Sequence, residues 1–324
     1  MAKSDKIISL VKAGALGDKQ QFKRVTESLI ADERAKKHHV IAERLEDALR
    51  TISVSNATLR PRDYGFSKIA SLVDERHPAI KLSELVLNPS ITESINELIA
   101  EQSRADLLRS YSLEPRNRLL LIGPPGNGKT SIAEALAEAL MVPLIVVRYE
   151  GVIGSYLGET ASNLKKVIEF ASSRRCVLFF DEFDTLGKER GDTHDTGEVK
   201  RVVSSLLMQI DSLPSHVVVV GATNHSELLD RAVWRRFQIR LEVPMPTRSQ
   251  ISKWFSDFEQ HHGISLGYAP ETLAKKLSGA NFSEVKEFGT TVLRKMVLSL
   301  PDANMKDICA ETVKNWHKVT YKNN

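Results

Sequence analysis

Short, almost wholly apolar runs separated by helical segments dominate the middle of the chain. About five such runs stand out, and together they suggest strands. In chain order they are RLLLI, PLIVV, CVLFF, HVVVV and IRLEV. Continuous apolar strands divided by helices predict a parallel sheet that is covered by helices on both faces. The pattern therefore indicates a doubly wound α/β domain with a parallel sheet of about five strands, ending near Val243.

Helical patterns flank this α/β domain on both sides. Residues 5 to about 52 carry apolar positions at helical spacing, and the aperiodic stretch that follows, with Pro61 and Pro78, is typical of a linker. After the break PMPTR the remaining segments again have helical periodicity. We therefore predict a helical N-terminal segment and linker over 1–80, the α/β domain over 81–245 and a small helical domain over 246–324.

Composition is that of an ordinary globular protein. Of 324 residues, 42% are hydrophobic and 27% are charged, and the net charge is only +4. So small an excess of positive charge argues against a nucleic-acid partner. Two cysteines without metal-ligand spacing exclude a disulfide framework. The N-terminus lacks the apolar core of a signal peptide, and no apolar stretch approaches the roughly 20 residues of a membrane span. We expect a cytoplasmic location without membrane contact.

A glycine-rich octet, GPPGNGKT, follows the first apolar run and precedes an alanine-rich helical stretch. It fits the pattern G-x-x-x-x-G-K-[ST], whose glycines let backbone N–H groups turn inward around phosphates. Lys129 would contact the β- and γ-phosphates of ATP, and the hydroxyl of Thr130 would bind Mg²⁺. The residues expected to bind the nucleotide here are Gly123, Pro124, Pro125, Gly126, Asn127, Gly128, Lys129, Thr130 and Ser131.

Two further strands end in polar residues that suit phosphate chemistry. CVLFF is followed by Asp181 and Glu182, at the carboxyl edge where parallel sheets bind ligands. Asp181 can hold Mg²⁺ through its water shell, and Glu182 can polarise the attacking water. HVVVV leads to Asn224, whose amide can hydrogen-bond this water or the γ-phosphate. Taken alone, such an asparagine is more often a turn residue.

These motifs, in this order, resemble those of the AAA+ ATPases, and among them the AAA proteins that remodel other proteins. The resemblance covers about residues 81 to 300 and rests on GPPGNGKT, FFDEFD, GATN, LLDRAVWRRF and GSYLGET. It implies hydrolysis of ATP with Mg²⁺, and a helical lid for residues 246–324. The lid stretch GANFSEV lacks the arginine of clamp loaders and replication initiators, which disfavours the DNA-acting branches.

The segment LLDRAVWRRF looks like the family's arginine-finger segment, but it lacks the usual Pro-Gly between the two arginines. Arg235 and Arg236 are therefore adjacent, and both are candidates for the finger. Because a finger reaches the nucleotide of a neighbouring subunit, the resemblance implies a homo-oligomeric ring, most simply a hexamer. The alternative is an ordinary pair of surface arginines.

GSYLGET looks like the family's pore-facing loop. In such a loop Tyr156 and Leu157 would grip an extended polypeptide client, since an aromatic ring packs on backbone and side chains alike. The alternative for Tyr156 is a half-buried loop residue.

The N-terminal stretch IADERAKKHHVIAERLEDAL resembles small bacterial AAA proteins that are encoded beside a subtilisin-like protease. Some of these pairs are linked to defence against phage or plasmids, which suggests a separate partner protease and antiviral defence. The main hypothesis is thus a ring-forming ATPase that unfolds or remodels a protein client. The alternative is an ATP-dependent scaffold or switch that activates a partner without threading it.

Overall fold

The computed structural model divides into two compact units, Met1–Lys68 and Ile69–Asn324. The described residues are 25–26, 28–30, 69–153, 157–186, 206–229, 231–301 and 303–320. Those of the first unit are helical, and the rest of the predicted N-terminal helices lies outside the described residues. The division of the chain at residues 80 and 245 stays a prediction.

One sheet of six strands forms the centre of the second unit, in the order β1-β3-β4-β5-β2-β6. Strand β1 runs antiparallel to β3, and the other neighbours are parallel. The strands are β1 (Val73–Arg76), β2 (Arg118–Ile122), β3 (Leu144–Val147), β4 (Cys176–Phe180), β5 (Val217–Thr223) and β6 (Ile239–Glu242). The predicted α/β class and all five apolar strands are confirmed.

The predicted count of five strands is wrong, because β1 adds a sixth. It comes from the segment that the sequence indicated as a linker, and its pairing makes the sheet mixed rather than purely parallel. Only Val73 of its four residues is buried. A short edge strand has only one neighbouring strand, and most side chains of β1 are not buried. Its sequence therefore lacks the continuous apolar run of the central strands.

Helices cover both faces of the sheet. In this half of the unit they are α1 (Pro89–Ser103), α2 (Ala105–Ser110), α3 (Lys129–Ala139), α4 (Tyr149–Val152), α5 (Leu157–Ser172) and α6 (Arg231–Arg236), with further helical residues at 206–211. Alternate strand residues point to opposite faces. Leu119 and Leu121 therefore join the apolar cluster around α3, whereas Leu120 and Ile122 join the cluster around α5.

Four helices after β6 enclose an apolar core of their own. They are α7 (Arg248–His262), α8 (Pro270–Lys276), α9 (Phe282–Leu298) and α10 (Met305–Thr320). Phe255 of α7 and Phe288 of α9 meet edge to face at the centre of this core. Thr247 caps α7 and Asn281 caps α9 through reciprocal hydrogen bonds with the third helical residue. Of the helices in the described part of the chain, none has the length and apolar character of a membrane span.

Candidate active site

The glycine-rich loop connects β2 to α3 and folds around its own glycines. Gly123 has φ 151° and Gly126 has φ 78°, values that disfavour side chains. A Cβ atom on Gly123 would lie 2.1 Å from the backbone oxygen of Val243, so the residue that follows β6 approaches the loop too closely for a side chain at this position. Gly128, also left-handed, is the N-cap of α3. The loop thus delivers the first residues of α3 to the sheet edge.

Lys129 is the first residue of α3 and is buried. Its Nζ donates to the carbonyl oxygens of Gly123 at 2.6 Å and Pro124 at 2.9 Å, and to Oδ1 of Asn224 at 2.7 Å. Burial lowers the pKa of this amine, and the carboxylates of Asp181 and Asp184 oppose that effect. The Lys129 amine therefore lies inside the glycine-rich loop, beside Asn224, which follows β5.

Thr130 and Asp181 meet across the gap between α3 and the end of β4. The Thr130 hydroxyl donates to Oδ2 of Asp181 over 3.1 Å. A hydroxyl and a carboxylate at one point are hard oxygen donors of the kind that Mg²⁺ takes, together with waters and phosphate oxygens. The donor set therefore fits Mg²⁺, and these two residues would hold it. Among the described residues, no group of three or more His, Cys, Asp and Glu side chains offers another metal site.

Glu182 follows Asp181 in a left-handed backbone conformation, with φ 46°. This conformation costs a non-glycine residue of order 1–3 kcal/mol and concentrates at functional sites. Its backbone N–H donates to Oδ1 of Asp181 at 3.0 Å, which keeps the two acids in a tight turn. The Glu182 side chain is exposed, so a water molecule can reach its carboxylate.

A buried hydrogen bond between Thr223 and Asp184 was not foreseen from the sequence. The Thr223 hydroxyl, at the end of β5, donates to Oδ1 of Asp184 at 3.0 Å and accepts from the backbone N–H of His225, also at 3.0 Å. These contacts fix the turn that carries Asn224 relative to the turn after β4. The third acid of DEFD, Asp184, was the available signal, because a buried carboxylate needs a hydrogen-bond partner.

The remaining loop residues surround this centre. Pro124 and Pro125 are exposed, and Ser131 is half-buried. Asn127 is buried, and its Nδ2 donates to Sδ of Met245 at 3.3 Å. The backbone N–H of Ser283, in the first turn of α9, donates to the Gly126 oxygen at 2.9 Å. Helix α9 therefore begins against the glycine loop.

The two adjacent arginines at the end of α6 differ in their surroundings. Arg235 is exposed, whereas Arg236 is half-buried and donates from Nε to Asp211. Asp211 also accepts from Arg118 at the start of β2, so one carboxylate holds two guanidinium groups. This pairing restrains the Arg236 side chain.

Of the two predicted client-gripping residues, Tyr156 lies outside the described residues. Leu157 is the first residue of α5, and its side chain is likewise outside the description. Their role stays a prediction.

The arrangement unites a phosphate-binding loop, a candidate Mg²⁺ pair, an accessible carboxylate and an amide at one edge of a largely parallel sheet. A family model described as "ATPase family associated with various cellular activities (AAA)" matches residues 119–245, which include all of these groups.

Individual relatives extend the match. An uncharacterized AAA family ATPase, y4kL, of Sinorhizobium fredii is 34% identical over 287 residues, which are 87% of this chain and 86% of the relative. The peroxisomal ATPase pex6 of Schizosaccharomyces pombe is 42% identical over 134 residues, 40% of this chain and 14% of its own. A putative 26S proteasome regulatory subunit homolog of Methanothermobacter marburgensis is 33% identical over 176 residues, 53% of this chain and 47% of its own.

With the y4kL match spanning most of both chains, the protein belongs to the AAA family of ATPases. Its activity is the hydrolysis of ATP to ADP and phosphate. Because the chain spans less than half of the last two relatives, what those proteins do as a whole does not carry over directly.

Proposed function

We propose that the protein is a Mg²⁺-dependent ATPase that assembles into a hexameric ring in the cytoplasm and remodels or unfolds a protein client. Two hydrogen bonds support the hydrolytic part, one from Lys129 to Asn224 and one from Thr130 to Asp181. The backbone N–H of Glu182 donates to the same Asp181 carboxylate. When bound, Mg²⁺ supplies positive charge beside the phosphates.

Each side chain has a distinct part in this proposal. The Lys129 amine leaves its loop carbonyls for the β- and γ-phosphates, and Asn224, no longer its acceptor, turns to the attacking water. Glu182 accepts a proton of that water as the water oxygen bonds to the γ-phosphorus, while the bond from this phosphorus to the bridging oxygen of the β-phosphate breaks and ADP leaves. The hydrogen bond between Thr223 and Asp184 fixes the turn after β4 relative to the turn after β5.

The ring is supported by the difference between the two arginines. Asp211 holds Arg236 in place, while Arg235 extends from the end of α6 into solvent. We assign Arg235 as the finger that reaches the neighbouring subunit's γ-phosphate, and Arg236 as the residue that fixes α6. The finer elements, a separate partner protease such as a subtilisin-like enzyme and a role in bacterial antiviral defence, are supported only by the N-terminal resemblance.

Substitution of Glu182 by Gln tests the hydrolytic assignment. Glu182→Gln keeps the side-chain shape and removes the base, so ATP should still bind while turnover falls roughly 10²-fold or more. Glu169→Gln is the matched control, since it loses only an exposed i,i+4 pair with Lys165. Steady-state phosphate release and nucleotide binding by fluorescence are the measurements. Hydrolysis by Glu182→Gln at the wild-type rate would contradict the assignment.

Substitution of Tyr156 by Ala separates threading from the switch alternative. If the ring grips a client, Tyr156→Ala should keep basal ATPase within about two- to threefold, because it removes no group that stabilises phosphoryl transfer. Unfolding of a fluorescent client should fail, whereas Tyr156→Phe should work. Unchanged melting temperature together with normal client processing would reject threading and favour the scaffold or switch. If Tyr156→Ala lowers both the melting temperature and the ATPase rate, Tyr156 is a structural residue.

A further inference from the structure

Phe183 anchors the turn of Glu182 in the core. It follows Glu182 directly, begins the short 3-10 turn Phe183–Leu186 and is almost completely buried. Glu182 itself is exposed and has φ 46°, a conformation that persists only where the surrounding structure enforces it. The hydrogen bond from the Glu182 N–H to Asp181 restrains the backbone on one side. The buried Phe183 side chain restrains it on the other side.

The Phe183 ring is held by two other aromatic rings. It meets Phe180, the last residue of β4, edge to face, with the ring centroids 5.9 Å apart and the ring planes at 79°. It meets Phe237 in the same manner, at 5.6 Å and 88°. All three side chains are buried. Edge-to-face pairs stabilise one relative orientation beyond the free energy gained by burial, so the Phe183 ring has a defined place between its neighbours.

Phe237 belongs to the segment of the two adjacent arginines. It is the first residue after α6 and follows Arg236 directly. The sheet leaves space for its ring at Gly221, inside β5, where an added Cβ atom would lie 3.1 Å from Cζ of Phe237. Glycine inside a strand weakens it and often marks a site that another group approaches closely. Gly221 therefore lets the Phe237 ring lie against the sheet.

A continuous line of contacts connects α6 with the proposed base. It runs along the chain from α6 to Phe237, across the core from Phe237 to Phe183, and along the chain again from Phe183 to Glu182. Only the middle step is noncovalent, and both of its rings are buried. Packed side chains of this kind transmit displacements between elements. A shift of α6 would therefore move the anchor that restrains the Glu182 backbone.

We propose that Phe183 and Phe237 are positioning residues for ATP hydrolysis, which hold the Glu182 carboxylate toward the attacking water and tie its orientation to α6. The inference rests on the proposed role of Glu182 as the base. Neither ring touches ATP or water in this role, and neither forms or breaks a bond. Because α6 also carries Arg235, the proposed finger, the interface of a subunit acts on the base of that same subunit.

The test compares two buried aromatic pairs in the whole chain. Phe237→Leu keeps an apolar side chain and removes the edge-to-face contact. We expect kcat to fall about ten- to a hundredfold with KM for ATP unchanged, because misplaced catalytic groups lose rates of this order. Phe255→Leu is the matched control, since Phe255 and Phe288 form the same kind of pair among the helices after β6, at 5.9 Å and 86°. It should lower the melting temperature to a similar extent but leave kcat unchanged.

Gly221→Ala is a second variant, which keeps both rings and leaves no cavity. Its methyl group would push the Phe237 ring by a few tenths of an ångström. We expect kcat to fall about threefold or more, again without a change in KM, while the melting temperature stays close to that of the wild type. A wild-type kcat for Phe237→Leu or for Gly221→Ala would overturn the positioning role. So would an equal fall of kcat in Phe255→Leu and Phe237→Leu.

Single-turnover rates in two further backgrounds show through which residue the loss acts. In the Glu182→Gln background the loss caused by Phe237→Leu should largely disappear, because residues that act as a unit are non-additive. In the Arg235→Ala background the loss should persist. The same fractional loss with and without Glu182 would overturn the proposal, and so would a loss that disappears in Arg235→Ala. Wild-type hydrolysis by Glu182→Gln alone would instead reject the base assignment, and the positioning role with it.

Discussion

At the scale of single residues, the buried pair of Thr223 and Asp184 shows how little of the site is visible in a motif. Thr223 is fully buried and Asp184 nearly so. Their hydrogen bond joins the turn after β4 to the end of β5, and these two places carry the proposed base Glu182 and the Asn224 amide. The sequence predicted Glu182 and Asn224 as site residues, but it did not predict the contact between the two turns that carry them.

Substitution of Thr223 by Val keeps the shape and removes this contact. Thr223→Val leaves a buried carboxylate with one donor fewer, so we expect a loss of about 1–3 kcal/mol in the free energy of unfolding. Turnover should fall as Asn224 shifts, while Thr223→Ser, which keeps the hydroxyl, should remain active with a small loss of stability. Urea unfolding and ATPase rates on the three proteins provide the measurement. Full activity of Thr223→Val would show that the bond does not position the turn.

At the scale of elements, the start of α9 combines capping with contact to the glycine loop. The Asn281 side chain accepts from the Glu284 backbone N–H at 2.9 Å, and the Glu284 carboxylate accepts from the Asn281 N–H at 2.8 Å. A Cβ atom added to Gly126 would lie only 2.6 Å from Oδ1 of Asn281. Asn281 therefore caps the start of α9 and also borders the loop expected to hold phosphates.

Two substitutions of Asn281 separate these roles. Asn281→Ala should cost about 1 kcal/mol of stability through loss of the cap. Asn281→Asp keeps the cap, but its carboxylate would repel phosphates beside Gly126, so ATP affinity should fall while the melting temperature holds. Thr247→Ala removes the equivalent cap of α7 and is the control. It should lower the stability and leave the affinity for ATP unchanged. If Asn281→Asp binds ATP with unchanged affinity, the phosphates do not lie beside Asn281.

At the scale of the whole molecule, the finger assignment concerns how one subunit completes the site of another. Arg235 contributes nothing to the hydrogen bonds described around its own Lys129 and Asp181. Its exposed guanidinium is available to a neighbour, whereas the Arg236 guanidinium is shared with Asp211. A residue that acts across an interface makes activity depend on assembly.

The rate of ATP hydrolysis should therefore rise faster than linearly with protein concentration. Arg235→Ala should bind ATP normally but lose this hydrolysis. Arg235→Ala mixed with Lys129→Ala should recover part of the turnover, because one brings an intact site and the other an intact finger. Arg236→Ala should instead lower the melting temperature and retain more ATPase than Arg235→Ala. Native mass spectrometry and ATPase titrations provide the measurements. Full activity of a dilute monomer, or greater loss in Arg236→Ala, would contradict the assignment.

The sequence by itself determined the strands that are buried on both faces and the loop that joins β2 to α3. CVLFF is apolar throughout, and RLLLI is apolar after Arg118, because helices cover both faces of the sheet at these strands. The glycine loop was equally readable, since positive φ at Gly126 and the close approach at Gly123 admit glycine alone. These constraints are local, because each depends on residues that are neighbours in the sequence.

Only the tertiary structure decided the sixth strand, the different surroundings of the two arginines and the contacts that hold the site. Strand β1 is set by backbone pairing with β3, which any short extended segment can make. The restraint on Arg236 depends on Asp211, 25 residues away, and the bond between Asp184 and Thr223 spans 39 residues. Such pairings come from the folding of distant segments onto one edge, and no local pattern of apolar and polar residues encodes them.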